Sequence, residues 1–289
     1  MAKPICVVTG ATGLIGSALI PALLPDFEVH GVTRRPLRVS GVTWHAMDLS
    51  VPCDPVSLPH HADAIVYLAQ SEFFREFPSH CLEVYEVNTV NLLRFLDYGR
   101  RTGVRHFVLA SSGGVYGAGD LSMSEELVIP ARGDLGFYLT TKLCSEILAQ
   151  NFSEFFSVVV LRFFFVYGLG QRQTMLIPRL ITRVRNGEQI QLQGREGLRI
   201  NPTHVSDSVA AILRALDLRT SHTINVGGAN VLSMREIGQE IGRALGRDPV
   251  FSVNENELPR HLTGEISKMC ELLGPPSVSF ADGLRSMLE

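Results

Sequence analysis

The chain has 289 residues, of which 45% are hydrophobic and 19% charged, a composition that excludes intrinsic disorder. Its 26 Lys and Arg residues against 29 Asp and Glu residues give a formal net charge of -3, which argues against binding to a nucleic-acid backbone. No apolar run reaches the roughly 18 residues of a membrane span, and the first residues lack a signal-peptide pattern. The five cysteines have no C-x-x-C spacing, which disfavours a zinc site or a disulfide framework. We therefore expect a cytoplasmic protein that binds no metal, no nucleic acid and no membrane.

Short apolar strands alternate with amphipathic helices in the first half of the chain. The predicted strands are 5–9, 29–33, 64–68, 106–110 and 158–163, and the predicted helices are 14–24, 83–101, 138–155 and 206–216. Near-continuous apolar strands are typical of a parallel sheet that helices cover on both faces. The pattern predicts a Rossmann-type, doubly wound α/β fold.

After about residue 165 the predicted elements become shorter. They are strands at 189–192 and 223–226 and helices at 234–245 and 280–288. No linker-like segment separates them from the first half. We expect a dinucleotide-binding domain over 1–165 and a smaller substrate-binding lobe over 166–289 that is interleaved with it, with a cleft between the two.

The first strand leads directly into a glycine-rich turn, G-x-x-G-x-x-G, formed by Gly10, Gly13 and Gly16. Glycines permit a tight turn and a close approach of backbone N–H groups to a pyrophosphate at a helix N-terminus. The turn therefore predicts a dinucleotide site. At the end of the second strand, where an acidic residue would bind the ribose of NAD, the chain has Arg34 and Arg35. Guanidinium groups suit a 2'-phosphate, so NADP is favoured over NAD. The alternative is that both arginines simply face solvent.

A tyrosine and a lysine lie four residues apart on one face of a predicted helix, at Tyr138 and Lys142. An ammonium group favours a phenolate, so we expect Lys142 to lower the pKa of Tyr138 and to prepare it for acid/base catalysis. The chain has only three lysines, so this placement is informative. Ser111 and Ser112 end a predicted strand at the edge where doubly wound sheets bind ligands.

These motifs together resemble the extended short-chain dehydrogenase/reductase family, in particular its NAD(P)-dependent nucleotide-sugar epimerases, dehydratases and reductases. The similarity covers nearly the whole chain. It includes TGATGLIG at 9–16, SSGGVYG at 111–117, YLTTK at 138–142, RFFFVYG at 162–168 and RINPTHVSDSVAA at 199–211.

The resemblance implies a role for each matching residue. Tyr138 is the expected catalytic acid/base, Lys142 its activator and a cofactor ligand, and Ser112 the hydroxyl that assists catalysis and contacts the substrate. The other expected cofactor-binding residues are Gly10, Thr12, Gly13, Leu14, Ile15, Gly16, Arg34, Arg35, Asp48, Leu49, Leu68, Ala69 and Gln70. Arg199 and Arg260 are expected to bind the diphosphate of a nucleotide sugar, because guanidinium matches phosphate in geometry and charge. The sugar pocket is expected in loops 71–78 and 171–177.

Departures from the family pattern narrow the expected reaction. Gly113 and Gly114 stand where family dehydratases carry an Asp-Glu pair, which disfavours elimination of water. Phe165 stands where the family often has Asn. The favoured function is a 4-epimerase that works through a 4-keto sugar. The alternatives are an NADPH-dependent 4-keto-sugar reductase and a catalytically silent NAD(P)-binding sensor.

The resemblance also implies a homodimer, formed by the helix before the serine loop and the helix that carries the tyrosine. Apolar residues at helical spacing are available for such contacts, although a monomer core explains them equally well. They are Val90, Leu93, Leu96, Leu143 and Ile147.

Overall fold

The computed structural model describes residues 2–37, 39–119, 122–129 and 135–289. Its strands are β1 (Ile5–Thr9), β2 (Glu28–Thr33), β3 (Val42–Ala46), β4 (Ala64–Tyr67), β5 (His106–Ser112), β6 (Ser157–Phe163), β7 (Val166–Tyr167), β8 (Gln189–Gln193), β9 (Arg199–Ile200), β10 (Thr203–His204), β11 (His222–Val226), β12 (Leu232–Ser233) and β13 (Val250–Asn254). Its helices are α1 (Leu14–Leu23), α2 (Cys81–Tyr85), α3 (Asn91–Thr102), α4 (Phe137–Gln150), α5 (Leu176–Asn186), α6 (Val205–Ala215), α7 (Met234–Leu245), α8 (Ser267–Leu272) and α9 (Phe280–Leu288). None of these described helices is long and apolar enough to cross a membrane.

A seven-stranded sheet forms the centre of the fold, in the order β11-β6-β5-β4-β1-β2-β3. The pairs β1–β2, β2–β3, β1–β4 and β4–β5 are parallel. Every residue of β4 and of β6 is buried, as expected of strands with both faces covered. The predicted Rossmann-type, doubly wound fold is confirmed.

The chain divides into two compact units. The first unit consists of Met1–Val115, Val128–Arg162 and Val209–Ile224, and the second of Tyr116–Leu127, Phe163–Ser208 and Asn225–Glu289. Each has its own apolar core, around Ile65 and Phe107 in the first and around Ile177 and Ile237 in the second. The chain returns to the first unit at 209–224, which a single boundary after residue 165 does not describe. The predicted domain limits, 1–165 and 166–289, stay a prediction.

Two predicted helices and one predicted loop differ from the structure. The predicted helix 83–101 is interrupted between α2 and α3 by a π-helical turn, Glu86–Val90. The helix predicted to end at 155 ends at Gln150, because Phe152 and Phe156 continue the apolar spacing in a turn rather than in a helix. Residues 171–177 were expected to form a loop, but α5 already begins at Leu176.

Candidate active site

The glycine-rich turn joins β1 to α1 and leaves no room for a side chain at Gly10 or Gly16. Gly10 has a φ of 63°, and a Cβ there would lie 2.8 Å from the backbone of Leu68. A Cβ on Gly16 would lie 2.3 Å from the carbonyl oxygen of Gly10. Gly13 caps α1 without a side-chain hydrogen bond, and the first turn of α1 carries no acidic residue. The helix N-terminus therefore keeps free N–H groups and a partial positive charge, which fits the pyrophosphate of a dinucleotide.

The other cofactor-binding candidates near the turn lie at the same edge of the sheet. The Ala69 N–H donates to Thr9 Oγ1 at 3.2 Å, which ties the segment after β4 to the end of β1. Gln70 Oε1 is buried without a hydrogen-bond partner among the described residues. A buried acceptor of this kind needs a donor, and a bound ligand would supply one. The predicted residues Thr12, Leu14 and Ile15 belong to the turn and to the start of α1.

Arg34 and Arg35, predicted to distinguish NADP from NAD, follow β2, and the predicted cofactor-binding residues Asp48 and Leu49 follow β3. Arg34 and Arg35 are both exposed. Arg34 Nη2 lies 2.9 Å from Glu72 Oε1, and the hydrogen bond to Glu72 raises the pKa of the arginine. Asp48 is exposed and accepts a hydrogen bond from Ser50, whereas Leu49 is buried. A 2'-phosphate would therefore compete with the Glu72 carboxylate for Arg34. Arg35 has no salt bridge among the described residues and is the better placed of the two to bind a phosphate.

The three predicted catalytic residues meet in the first unit. Ser112 ends β5, and Tyr138 and Lys142 lie one turn apart on α4. Ser112 lies close enough to the phenol of Tyr138 to lower its pKa. Lys142 is 5% exposed, and its Nζ donates to the carbonyl oxygen of Ala110 at 2.9 Å. The arrangement places an acid/base, a hydroxyl partner and a cation at the carboxyl edge of the sheet, while their catalytic roles stay predictions.

The pKa of Tyr138 differs from the expectation. Burial raises the pKa of Tyr138 to about 12, and the nearby Ser112 hydroxyl and the charge of Arg75 oppose this rise. The expected lowering by Lys142 is wrong for this structure, because the ammonium group donates to Ala110 rather than to the phenol. Burial likewise lowers the pKa of Lys142 to about 8, and the charge of Glu146 opposes that change.

Phe74 and Arg75, from the loop 71–78 predicted to form part of the sugar pocket, lie beside the tyrosine. The Phe74 ring packs on the Tyr138 ring with centroids 4.8 Å apart, and the Arg75 guanidinium lies 5.0 Å from the Phe74 centroid. Both belong to the loop after β4. In the sequence these residues belong to the aromatic and basic cluster FFREF of loop 71–78. No pattern in the sequence indicates that this cluster contacts Tyr138.

The two arginines predicted to bind a diphosphate lie in the second unit. The backbone N–H of Arg199 donates to His261 Nδ1 at 3.1 Å, which places β9 beside residues 260–262. Arg260 Nη2 donates to the carbonyl oxygen of Ala118 at 2.8 Å. Both side chains are exposed. The structure thus brings the two arginines onto neighbouring segments, and their role stays a prediction.

Phe165 adopts a backbone conformation that explains the Asn of the family pattern. Its φ is 44°, in the left-handed region that asparagine enters far more readily than phenylalanine. The ring packs against the apolar core of the second unit.

Comparison with known proteins identifies the family. A family model described as the NAD-dependent epimerase/dehydratase family matches residues 6–227. The chain belongs to this family. The resemblance to extended short-chain dehydrogenases/reductases is thereby confirmed.

Individual members of the epimerase/dehydratase family match nearly the full chain. An uncharacterized UDP-glucose epimerase, YtcB of Bacillus subtilis, is 29% identical over 96% of this chain and 94% of its own. A GDP-6-deoxy-D-talose 4-dehydrogenase of Aggregatibacter actinomycetemcomitans is 29% identical over 92% of this chain and 90% of its own. A solved structure of MoeE5 in complex with UDP-glucuronic acid and NAD is 30% identical, with a TM-score of 0.82 and coverage of 98% of this chain and 97% of that one.

Proposed function

We propose that the protein is an NAD(P)-dependent nucleotide-sugar 4-epimerase. The observation that carries this proposal is the meeting of Ser112, Tyr138 and Lys142 at the sheet edge that also holds the glycine-rich turn. The family itself is NAD-dependent. The similar proteins include a UDP-glucose epimerase and a structure with UDP-glucuronic acid and NAD, which supports a UDP-sugar as the substrate.

The proposed reaction inverts the configuration at C4 of the sugar. Tyr138 removes the proton of the C4 hydroxyl, and Ser112 holds the same oxygen by a hydrogen bond. Tyr138 enters this step as the phenolate and leaves it as the neutral phenol, and Lys142 is proposed to bind the cofactor. The nicotinamide, when bound, supplies the chemistry of accepting a hydride from C4 and giving it back. After the 4-keto sugar has turned its other face, Tyr138 returns the proton to the oxygen at C4.

The 4-dehydrogenase relative favours the alternative of a 4-keto-sugar reductase. The two reactions differ in whether the dinucleotide is consumed. We expect UDP-glucose or UDP-glucuronate to equilibrate with its C4 epimer, followed by NMR, without stoichiometric use of a dinucleotide. Stoichiometric NADPH oxidation with a 4-keto sugar would instead establish the reductase. A catalytically silent sensor would bind the dinucleotide and turn over neither substrate.

The substrate diphosphate is proposed to bind Arg199 and Arg260. Both guanidinium groups are exposed, lie on neighbouring segments of the second unit and form no salt bridge in the described part of the chain. Paired guanidinium groups are suited to a diphosphate in charge and geometry.

For the cofactor, we propose a preference for NADP, although MoeE5 was solved with NAD. Arg34 and Arg35 supply cations where an NAD site has a carboxylate. We expect Arg35→Ala to weaken NADP⁺ binding about ten- to hundredfold, as for a lost charge-assisted hydrogen bond, and to leave NAD⁺ binding nearly unchanged. Calorimetric titration measures both. Arg101→Ala, at an exposed arginine on α3, is the control, and equal NADP⁺ and NAD⁺ affinities in the unaltered chain would contradict the preference.

We also propose a homodimer through α3 and α4. Leu93 is 43% and Ile147 55% exposed, which leaves both available for an interface. Leu96 was expected to take part, but it is fully buried in the core of the first unit. Val90 and Leu143 are half-buried.

The dimer predicts that Leu93→Glu combined with Ile147→Glu yields a folded monomer, because each protomer would bury two carboxylates in the interface. Light scattering at micromolar concentration measures the mass. Val56→Glu, at an apolar residue that is 77% exposed on a loop, is the matched control and should leave the dimer intact. A monomeric unaltered chain would contradict the proposal.

A cytoplasmic location is proposed on the chemistry of the cysteines. Cys6, Cys53, Cys81, Cys144 and Cys270 are all free thiols in the structure. Reduced thiols in this number are typical of a reducing compartment.

A further inference from the structure

A buried ion pair lies directly beneath the candidate active site. Glu146 follows Lys142 by one turn of α4 and is 1% exposed. Arg162 on β6 donates to it from Nε at 3.1 Å and from Nη2 at 2.6 Å, and its side chain is 8% exposed. Ser111 on β5 donates its Oγ hydrogen to Glu146 Oε1. The carboxylate is therefore held by two strands of the central sheet.

Stability alone is a weak reason for such a pair. Removing two charges from water costs several kcal/mol per ion, and apolar residues of similar volume are often equally stable or more stable in the same place. The position of the pair is more informative. Ser111 adjoins Ser112, and Glu146 stands one turn from Lys142, so the network touches the two elements that carry the candidate catalytic residues.

Lys142 depends on its surroundings for its charge. Its Nζ donates to Ala110, and burial lowers its pKa to about 8. Glu146 is the neighbouring anion that opposes this change. The strand β5 presents Ser111 and Ser112, and β6 presents Arg162, whose guanidinium is bound to the carboxylate.

Other elements that pack against α4 carry acidic residues, Glu83 on α2, Glu86 on the π-helical turn and Asp97 on α3, but Glu146 is the anion whose charge raises the pKa of Lys142. Tyr138 is the ionisable group one turn before Lys142 on the same helix. The π-helical turn that packs against α4 presents the uncharged Asn88, whose Nδ2 donates to Thr141 Oγ1 at 2.9 Å. Glu146 is thus the carboxylate on which the charge of Lys142 depends.

We propose that Glu146, clamped by Arg162 and Ser111, is a positioning residue that acts through Lys142 and keeps it an ammonium ion at the end of β5. Its effect on turnover rests on the proposed function. The charge state of Lys142 does not, because it can be measured on the protein without substrate.

The chain has three lysines, Lys3, Lys142 and Lys268, so lysine labelled with ¹³C at Cε gives three NMR signals that can be titrated separately. The Lys142→Arg variant identifies the signal of Lys142. The test variant combines Ser111→Ala, Glu146→Met and Arg162→Met, which removes both charges of the ion pair and the hydroxyl together, so that neither partner of the pair is left as an isolated buried charge. Glu146→Gln, which removes one charge and keeps the shape, is the second variant.

In either variant we expect the pKa of Lys142 to fall by about one pH unit or more, because an anion close to it is lost. Lys3 and Lys268 should titrate as before. At neutral pH kcat for the UDP-sugar should fall, KM should stay nearly constant, and the kcat–pH profile should move with the titration of Lys142. Glu146→Asp, which keeps the charge, should restore part of the Lys142 pKa.

The proposal is overturned if a folded variant titrates Lys142 at the same pH as the unaltered chain. It is also overturned, without any variant, if Lys142 of the unaltered chain loses its proton below neutral pH. If Lys142 responds as expected but the unaltered chain turns over no nucleotide sugar, the positioning role stands and the proposed function fails.

Discussion

Tyr138→Phe is expected to reduce epimerisation of a UDP-sugar about 100- to 10,000-fold, the range attributed to a lost general acid/base. The phenol oxygen is the atom that would accept the C4 proton, and the ring keeps its contact with Phe74 at a centroid distance of 4.8 Å. Binding of dinucleotide and nucleotide sugar, and the thermal midpoint, should therefore remain near those of the unaltered chain. NMR of the two epimers measures turnover, and calorimetry measures binding.

Two further variants make the tyrosine result specific. Tyr85→Phe removes the hydroxyl of an exposed tyrosine on α2 and should be without effect. Ser112→Ala should lower turnover less than Tyr138→Phe, because it removes the hydroxyl near the phenol but not the proton-transfer group. Full turnover by the Tyr138→Phe variant would exclude the acid/base role.

Gly10→Ala is expected to destabilise the first unit and to abolish dinucleotide binding. A methyl group at position 10 would lie 2.8 Å from the backbone of Leu68, and the backbone φ of 63° is strained for alanine. Overpacking costs about 1–3 kcal/mol and the left-handed backbone about 1–2 kcal/mol more. Chemical denaturation measures the free energy of unfolding, and calorimetry measures the affinity for the dinucleotide.

Gly103→Ala isolates the contribution of crowding. Gly103 ends α3 with a φ of 77°, and a Cβ there would meet no atom within 4 Å. This variant should carry the backbone strain alone, so it should lose about 1–2 kcal/mol and keep dinucleotide affinity. Equal losses of stability and binding in the two variants would show that the turn at Gly10 is not packed as described.

The sequence predicts well where periodicity and local motif act together. The buried strands follow from near-continuous apolar runs, the tight turn follows from the spacing of its glycines, and the shared face of Tyr138 and Lys142 follows from the pitch of a helix. The spacing of the two residues indicates a shared face. It does not indicate where the ammonium group donates, and the tertiary contact with Ala110 therefore changes the electrostatics of the tyrosine.

Features that depend on distant partners were not predictable. The pairing of Glu146 with Arg162 joins residues on different elements, and the stacking of Phe74 on Tyr138 joins a loop to α4. The π-helical turn Glu86–Val90 has the apolar spacing of an ordinary helix. One feature of the sequence did indicate a buried ion pair. Glu146 follows Lys142 by one turn on an apolar helix face, and a buried charge requires a partner.

The most direct measurement of the proposed chemistry is the fate of deuterium at C4 of a UDP-sugar. If the Tyr138 site oxidises C4 and returns the same hydride, the C4 epimer formed in ordinary water retains the deuterium at C4. Epimerisation with loss of the deuterium to solvent, or recovery of the labelled sugar unchanged under saturating dinucleotide, would contradict the account.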